Sequence, residues 1–397
     1  MKIRTLGKLR RLKNQRVLLR VDFNVPLGSG GKIDLDADTR IRAALPTIEK
    51  LKRSKARVII VSHLGRPKGR QKKFSLEPVC ARLGELLGED VRFVGDDLMK
   101  NPDAVKAKLE PLGEGEVAMI ENIRFYPEEE KNDPAFAKLL ASLADVFVND
   151  AFAVSHRSHV STSGVAKRLD AYAGLLMAEE VKNLSRLVEK PGKPYVVVIG
   201  GAKISTKLPT LKKLLPLADA VLLGGAMANN FYKAMGCEIG KSLSSPEEVK
   251  LARQLIKKKN VFLPQDVVVA RSSKSKSRIC CPADIKKNEA VFDIGPETMR
   301  MWAEVVKGAR TIVWNGPLGM FEVKGFSHGS LTMGRVIASR ARGKAFGVAG
   351  GGETVQCIER TGMGEWMDHV STGGGAMLDF LAGRQLPGVK PLIEKKQ

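Results

Sequence analysis

The chain has 397 residues, 43% apolar and 27% charged, enough for two or three domains with their own cores. No apolar run approaches a bilayer span, and the basic residues 1–15 lack the continuous apolar stretch of a secretory signal, so a cytoplasmic protein without membrane partners is expected. The net charge of +23 is spread almost evenly, +10 over residues 1–169 and +13 over residues 170–397, which makes nucleic acid an incidental partner at most and favours small anions by steering. The five cysteines, Cys80, Cys237, Cys280, Cys281 and Cys357, form no C-x-x-C pair, which argues against a disulfide framework or a structural zinc site.

The first strong strand is RVLLRVDFNVP, residues 16–26, largely apolar as a strand covered on both faces is. It ends in Asp22 and Asn24, ahead of the turn GSGGK, residues 28–32. A helix follows, for which Asp38 and Thr39 can serve as caps, with Arg40 in its first turn. A cation is disfavoured there by the helix dipole, so Arg40 suggests a nearby anion, against the alternative of a solvated surface residue. The pattern then repeats. ARVIIVSHLGRP runs into His63 and Arg66, GEVAMIENIRFYPEEE into Glu121 and Arg124, and DVFVNDAFAVSHRSH into Asn149, Asp150, His156 and Arg157, with amphipathic helices at FSLEPVCARLGELLG and PAFAKLLASLA. Strands and helices alternating at this spacing predict a doubly wound parallel sheet, whose ligands bind at the carboxyl ends of the strands. Asp22, Asn24, His63, Arg66, Arg124 and Arg157 are therefore expected along one edge. Arginine forks match carboxylate and phosphate oxygens, so the cluster predicts a small, multiply anionic substrate. His156 and His159 could be metal ligands in an H-x-x-H arrangement, but no Glu or Cys partner stands at the usual spacing.

Residues 170–194 carry apolar positions at three- and four-residue intervals and stop at PGKP, which predicts a helix. It reads as a spacer between two α/β halves, the alternative being one more crossover helix of a single large sheet; the changed character of the strand ends beyond it favours the spacer. Those later ends are rich in glycine. Gly200-Gly201 precede Lys203 and Lys207, which share a helix face, and Gly224-Gly225, Asn315-Gly316, Gly350–Gly352 with Glu353 and Thr354, and Gly373–Gly375 follow. Glycine lets backbone N–H groups approach phosphates, and a helix N-terminus adds its dipole, so this edge is expected to cradle a nucleotide polyphosphate; for any one turn the alternative is a tight βα connection only. GCEIGKS, residues 236–242, is one residue too short for a P-loop and has no preceding strand. The fold expected is α/β: two doubly wound, Rossmann-like parallel-sheet domains joined by a spacer helix, with a cleft between them. An anion-binding half beside a nucleotide-binding half suggests phosphoryl transfer, and the lack of a carboxylate–histidine base suits an acceptor already ionised, a carboxylate.

The ordered segments RVDFNVPL, SHLGRP, ENIRFYPEEE, NDAF, HRSH, GGAKISTK, GGAMANNF, WNGPLGMFE, GGGETV and STGGGAMLDFLAG resemble the motif set of the phosphoglycerate kinases, over residues 20–383. The resemblance implies reversible phosphoryl transfer between ATP and 3-phosphoglycerate, giving ADP and 1,3-bisphosphoglycerate, with Mg²⁺, in glycolysis or gluconeogenesis. It implies a monomer with a substrate domain at 1–170, an interdomain helix and hinge at 171–194, a nucleotide domain at 195–380 and a segment, 381–397, that packs back on the first domain. Asp22, Phe23, Asn24, Leu64 and Gly65 would line the substrate, and His63, Arg66, Arg124 and Arg157 would grip its phosphate. Arg40 would reach the carboxyl group and the moving phosphoryl. Lys203 and Lys207 would contact the nucleotide phosphates, with Gly224 and Gly225 beside them; Asn315 and Glu322 would line the nucleoside. Gly351, Gly352, Glu353 and Thr354 would surround phosphates and metal, and Gly373 and Gly374 would donate to the transferred group. Three positions depart from the family pattern: Glu353 stands where Asp is usual, Ala153 where Gly is usual, and Asn230 where Thr is common.

Overall fold

A computed structural model describes residues 1–9, 11–28, 33 and 38–394; residues 29–32 of the expected turn and 395–397 of the tail fall outside them. The chain divides into two units, residues 1–182 with 385–397, and residues 183–384.

In the first unit, β1 (Arg16–Arg20), α1 (Thr39–Arg53), β2 (Arg57–Val61), α2 (Glu77–Leu87), β3 (Arg92–Val94), α3 (Pro102–Leu109), β4 (Val117–Ile120), α4 (Pro127–Lys131), α5 (Pro134–Ala141), β5 (Val146–Asn149) and β6 (Asp170–Ala173) precede α6 (Leu175–Val188). The sheet is wholly parallel, in the order β3-β4-β2-β1-β5-β6. Val17, Leu19, Val58 and Ile60 are fully buried in its core, each contributing roughly 1.5–3 kcal/mol, so register is fixed and chemistry is left to the strand ends. The chain turns to opposite sides after β1 and after β5, which are neighbours, and that crevice is where such a sheet takes its ligand. Two local expectations change. Residues 170–173 are the edge strand β6 rather than the start of the helix, paired with β5, and the helical spacing applies from Leu175. Asp38 occupies the N-cap position of α1 without capping it, because its buried carboxylate accepts from Arg42 and Arg82 at 2.7 Å each instead. Near the C-terminus Leu392 and Pro391 accept from Arg4, and Gly388 accepts from Asn149 Nδ2 at 3.0 Å.

The second unit runs β7 (Tyr195–Ile199), α7 (Ile204–Leu214), β8 (Ala220–Leu223), α8 (Ala228–Ala234), α9 (Pro246–Leu255), β9 (Val261–Phe262), β10 (Val267–Ala270), β11 (Arg278–Cys280), β12 (Ala290–Ile294), α10 (Pro296–Gly308), β13 (Thr311–Asn315), α11 (His328–Ala341), β14 (Phe346–Gly350), α12 (Gly352–Thr361), β15 (His369–Ser371) and α13 (Gly375–Leu381). Its main sheet is parallel, in the order β15-β14-β13-β7-β8-β9, and its direction reverses between β7 and β13. A three-stranded antiparallel sheet, β11-β10-β12, has no counterpart in the sequence reading; the basic run at residues 271–278 connects β10 to β11 and ends in Arg278, the first residue of β11. The five cysteines are all free thiols.

Candidate functional site

One wall of the crevice of the first sheet is built from the exits of β1 and β2. Phe23 N–H donates to Ser62 Oγ at 2.9 Å, Ser62 Oγ donates to Val21 O at 2.9 Å, and Asn24 Oδ1 accepts from Gly65 N–H at 2.8 Å. These bonds lock the two exits side by side. Asp22 then accepts Arg40 Nη1 at 2.7 Å, and Gly65 O accepts Arg124 Nη1 at 2.7 Å. The anion that Arg40 called for is therefore Asp22 of the chain itself. Phe23 and Leu64, expected against substrate, have fully buried side chains in the apolar core, because they are the inward-facing positions of the two exits. Gly65 is needed as glycine: its φ is 63° and a Cβ would strike the Phe74 ring at 2.4 Å. Arg66 is exposed, and half-buried Arg157 donates from Nε to His156 at 3.3 Å.

The electrostatics are one-sided. Burial, then the guanidiniums of Arg20, Arg124, Arg40 and Arg157, push His63 well below its usual value. His159 is pushed down to about 4 by burial and by Arg124, Arg157 and Arg20, and Arg124 itself falls to about 10 through burial and repulsion from Arg157 and Arg20. The cations are crowded enough to weaken one another, and a ligand with several negative charges relieves that repulsion. The same field opposes a cation between His156 and His159, and no group of three or more metal-ligating side chains occurs among the described residues. Sequence reasoning missed Arg20, 1% exposed at the end of β1, and Glu129, 0% exposed, joined through Ser161. A charged residue ending an otherwise apolar strand was the available signal.

On the second sheet, Gly200, Gly201, Gly225 and Gly316 bring the exits of β7, β8 and β13 into backbone contact. A Cβ on Gly200 would lie 2.0 Å from Pro317 O, and one on Gly316 would lie 2.4 Å from Gly200 O. The N–H groups of Gly200, Gly201, Gly224 and Gly225 donate to Asn315, Pro317, Ile199 and Leu318 carbonyls. These turns close-pack the crevice, with their N–H groups bonded to carbonyls of neighbouring strand exits. The N-terminus of α7 is likewise occupied, since buried Glu248 accepts from Ser205 N–H at 3.1 Å and also from Ile204 N–H. By contrast α12 and α13 begin at Gly352 and Gly375, with Gly351 (φ 100°) and Gly374 (φ 51°) in their N-cap positions, which have no side chain to cap the first turn.

Lys207 reaches Asn315 Oδ1 from α7, while Asn315 Nδ2 donates to Gly350 O at 2.6 Å. Asn315 thus bridges Lys207 to the exit of β14. Burial lowers Lys207 to about 8, and the Glu353 carboxylate counteracts part of that fall. Lys203 is exposed at the N-cap position of α7, and Thr354, fully buried, accepts Gly316 N–H at 2.7 Å. Beside this cluster lies a cavity of about 450 Å³ whose walls include Gly201, Gly225, Tyr232, Leu318, Glu322 and Glu353. That volume suits a nucleoside, and the exposed Glu322 and Glu353 offer oxygen ligands at its wall.

The family model of phosphoglycerate kinase matches residues 8–384. A phosphoglycerate kinase of Moorella thermoacetica is 47% identical over 392 residues, covering 97% of this chain and 98% of that one. One of Anaeromyxobacter dehalogenans is 45% identical over 405 residues, covering 99% and 100%. Among solved structures, the phosphoglycerate kinase of Coxiella burnetii superposes with a TM-score of 0.88 at 40% identity, covering 98% of this chain and 99% of that one. That of Pyrococcus horikoshii gives 0.83 at 33% identity, with 98% of each covered.

Proposed function

Because the chain belongs to the phosphoglycerate kinase family, we propose that it transfers a phosphoryl group reversibly between ATP and the carboxylate of 3-phosphoglycerate, giving ADP and 1,3-bisphosphoglycerate. The observation that carries this reading is the crowd of mutually repelling arginines around neutral His63, a field suited to a substrate bearing both phosphate and carboxylate. In it His63, Arg66, Arg124 and Arg157 bind the 3-phosphate, Asp22 and Asn24 the glycerate end, and Arg40 the carboxylate and the moving phosphoryl. Lys207 and Lys203 bind the nucleotide phosphates, Glu322 the ribose, and the N-termini of α12 and α13 receive phosphoryl oxygens. A carboxylate acceptor is already ionised, so positioning and charge neutralisation suffice without a general base.

Mg²⁺ suits the residues present. It binds proteins through one or two carboxylates and completes its shell with substrate phosphates and water, and Glu353 supplies such a carboxylate in the first turn of α12, within electrostatic reach of Lys207. When bound, the metal would neutralise nucleotide phosphate charge. The same reading makes the protein a cytoplasmic monomer.

The test is a coupled assay with the purified chain, 3-phosphoglycerate, Mg-ATP and a dehydrogenase that consumes the acyl phosphate. Turnover requiring every component is expected. Nucleotide hydrolysis indifferent to 3-phosphoglycerate would overturn the reading.

A further inference from the structure

Arg20 ends the central strand of the first sheet with a guanidinium that is almost wholly buried. Its Nε donates to Ser161 Oγ at 2.8 Å, its Nη1 to Val21 O, and its Nη2 stands 3.2 Å from His63 Nδ1. Ser161 hands the arrangement on: its Oγ donates to Glu129 Oε1 at 2.5 Å and its N–H to Glu129 Oε2 at 2.9 Å. Burial raises the Glu129 carboxyl and lowers the Arg20 guanidinium, each partly offset by the charge of the other, and Ser161 bridges the two.

A guanidinium has donors only, so in the Arg20–His63 contact the imidazole must accept. His63 Nδ1 is then unprotonated, and a neutral ring carries its one proton on Nε2. Without Arg20 the balance reverses: Asp22 Oδ1 lies 3.8 Å from the same Nδ1 and would draw a proton to it. We infer that Arg20 is a positioning residue that holds His63 as the Nε2–H tautomer, so that the ring meets the substrate anion as a fixed neutral donor. This rests on the reading of His63 as a phosphate ligand. The other charged groups facing the ring are Arg40 from α1, Arg124 after β4 and Arg157 after β5. They disfavour protonation but do not select a nitrogen; the Arg20 bond does.

The experiment is two-bond ¹H–¹⁵N spectroscopy of the histidine rings in the full chain, together with steady-state kinetics, on wild type, Arg20→Met and Arg20→Lys. Wild-type His63 is expected as Nε2–H. In Arg20→Met the ring should move to Nδ1–H, or take up a second proton as pH falls, because Asp22 Oδ1 then faces Nδ1 without the competing guanidinium. The KM for 3-phosphoglycerate should rise about tenfold or more and become pH-dependent, as loss of a charged hydrogen bond implies, with little change in the KM for Mg-ATP. Arg20→Lys, which keeps a donor cation, should restore the tautomer. A wild-type Nδ1–H ring overturns the proposal even if Arg20→Met fails to fold, and so does an unchanged Nε2–H ring in a folded Arg20→Met. The underlying reading fails separately, if His63→Gln leaves the KM for 3-phosphoglycerate unchanged while the wild-type ring is Nε2–H.

Discussion

Lys207 and Arg40 carry cations of different kinds, and their variants should fail differently. Lys207 is desolvated and clamped by Asn315, so its ammonium is lost from the free enzyme as pH rises through about 8. We expect kcat/KM for the nucleotide to decline along that limb, and Lys207→Met to be lower by about tenfold or more at neutral pH and to lack the limb. A pH–rate profile checks this; a limb that persists in Lys207→Met removes the lysine as its source. Arg40 is half-exposed and paired with Asp22, an ion pair of modest worth to stability. Arg40→Ala should therefore unfold nearly as wild type while kcat drops by roughly 10²-fold, the scale of losing one charge-stabilising group, with the nucleotide KM little changed. Near-normal turnover in that variant would take Arg40 out of the reaction.

At the scale of elements, the first turn of α6 is held by a carboxylate under strain of burial. Asp150 Oδ1 accepts Met177 N–H at 3.0 Å, Thr47 Oγ1 accepts Leu175 N–H at 2.9 Å, and Gly174 is so close that a Cβ would lie 2.2 Å from Asp150 Oδ1. Asp150 Oδ2 is buried and has no hydrogen-bond partner among the described residues. Burial, partly offset by Thr47 and the backbone N–H groups, raises this carboxyl to about 6. The folded state thus holds a proton that the unfolded chain has released, and the stabilising contribution is complete below the ordinary carboxyl value and lost as pH rises through about 6. Ionised Asp150 then costs on the order of 3 kcal/mol. Asn keeps the oxygen that caps α6 and does not titrate. Urea unfolding of wild type and Asp150→Asn should show the wild type losing stability relative to the variant from about pH 4 to about pH 7. Parallel curves would mean that Asp150 titrates normally. The element scale also explains what the sequence could and could not reveal. Strand runs such as YVVVI and the motif residues at their ends were legible because burial on both faces leaves an unbroken apolar signature. Strand β6, DAYA, was not, being an edge strand whose neighbouring positions share the spacing of α6. Glycine turns showed that backbones approach closely but not whether phosphate or carbonyl receives the N–H groups. Arg20 closes strand β1 just ahead of the motif residues and was passed over for them, and Glu129 lies inside a run of acids that reads as a solvated face.

For the whole molecule the open question is what +23 does, since it is shared by both halves of the sequence. A surplus so distributed raises the local concentration of any small polyanion and acts beyond the contacts of a single site. The Debye length is about 30 Å at 0.01 M salt and about 8 Å at 0.15 M, so contributions from distant lysines fade across that range while short-range attraction, such as the proposed contacts with Arg124 and Arg157, would persist. We expect the KM for both 3-phosphoglycerate and nucleotide to rise several-fold, on the order of a kcal/mol in affinity, as potassium chloride is raised over this interval. The kcat should stay within about twofold, because the bound substrate sits among local charges. Steady-state kinetics at fixed free Mg²⁺ make the measurement. A kcat that falls while both KM values hold would show that the salt acts on the bound state, and the surplus charge would then have no part in gathering substrate.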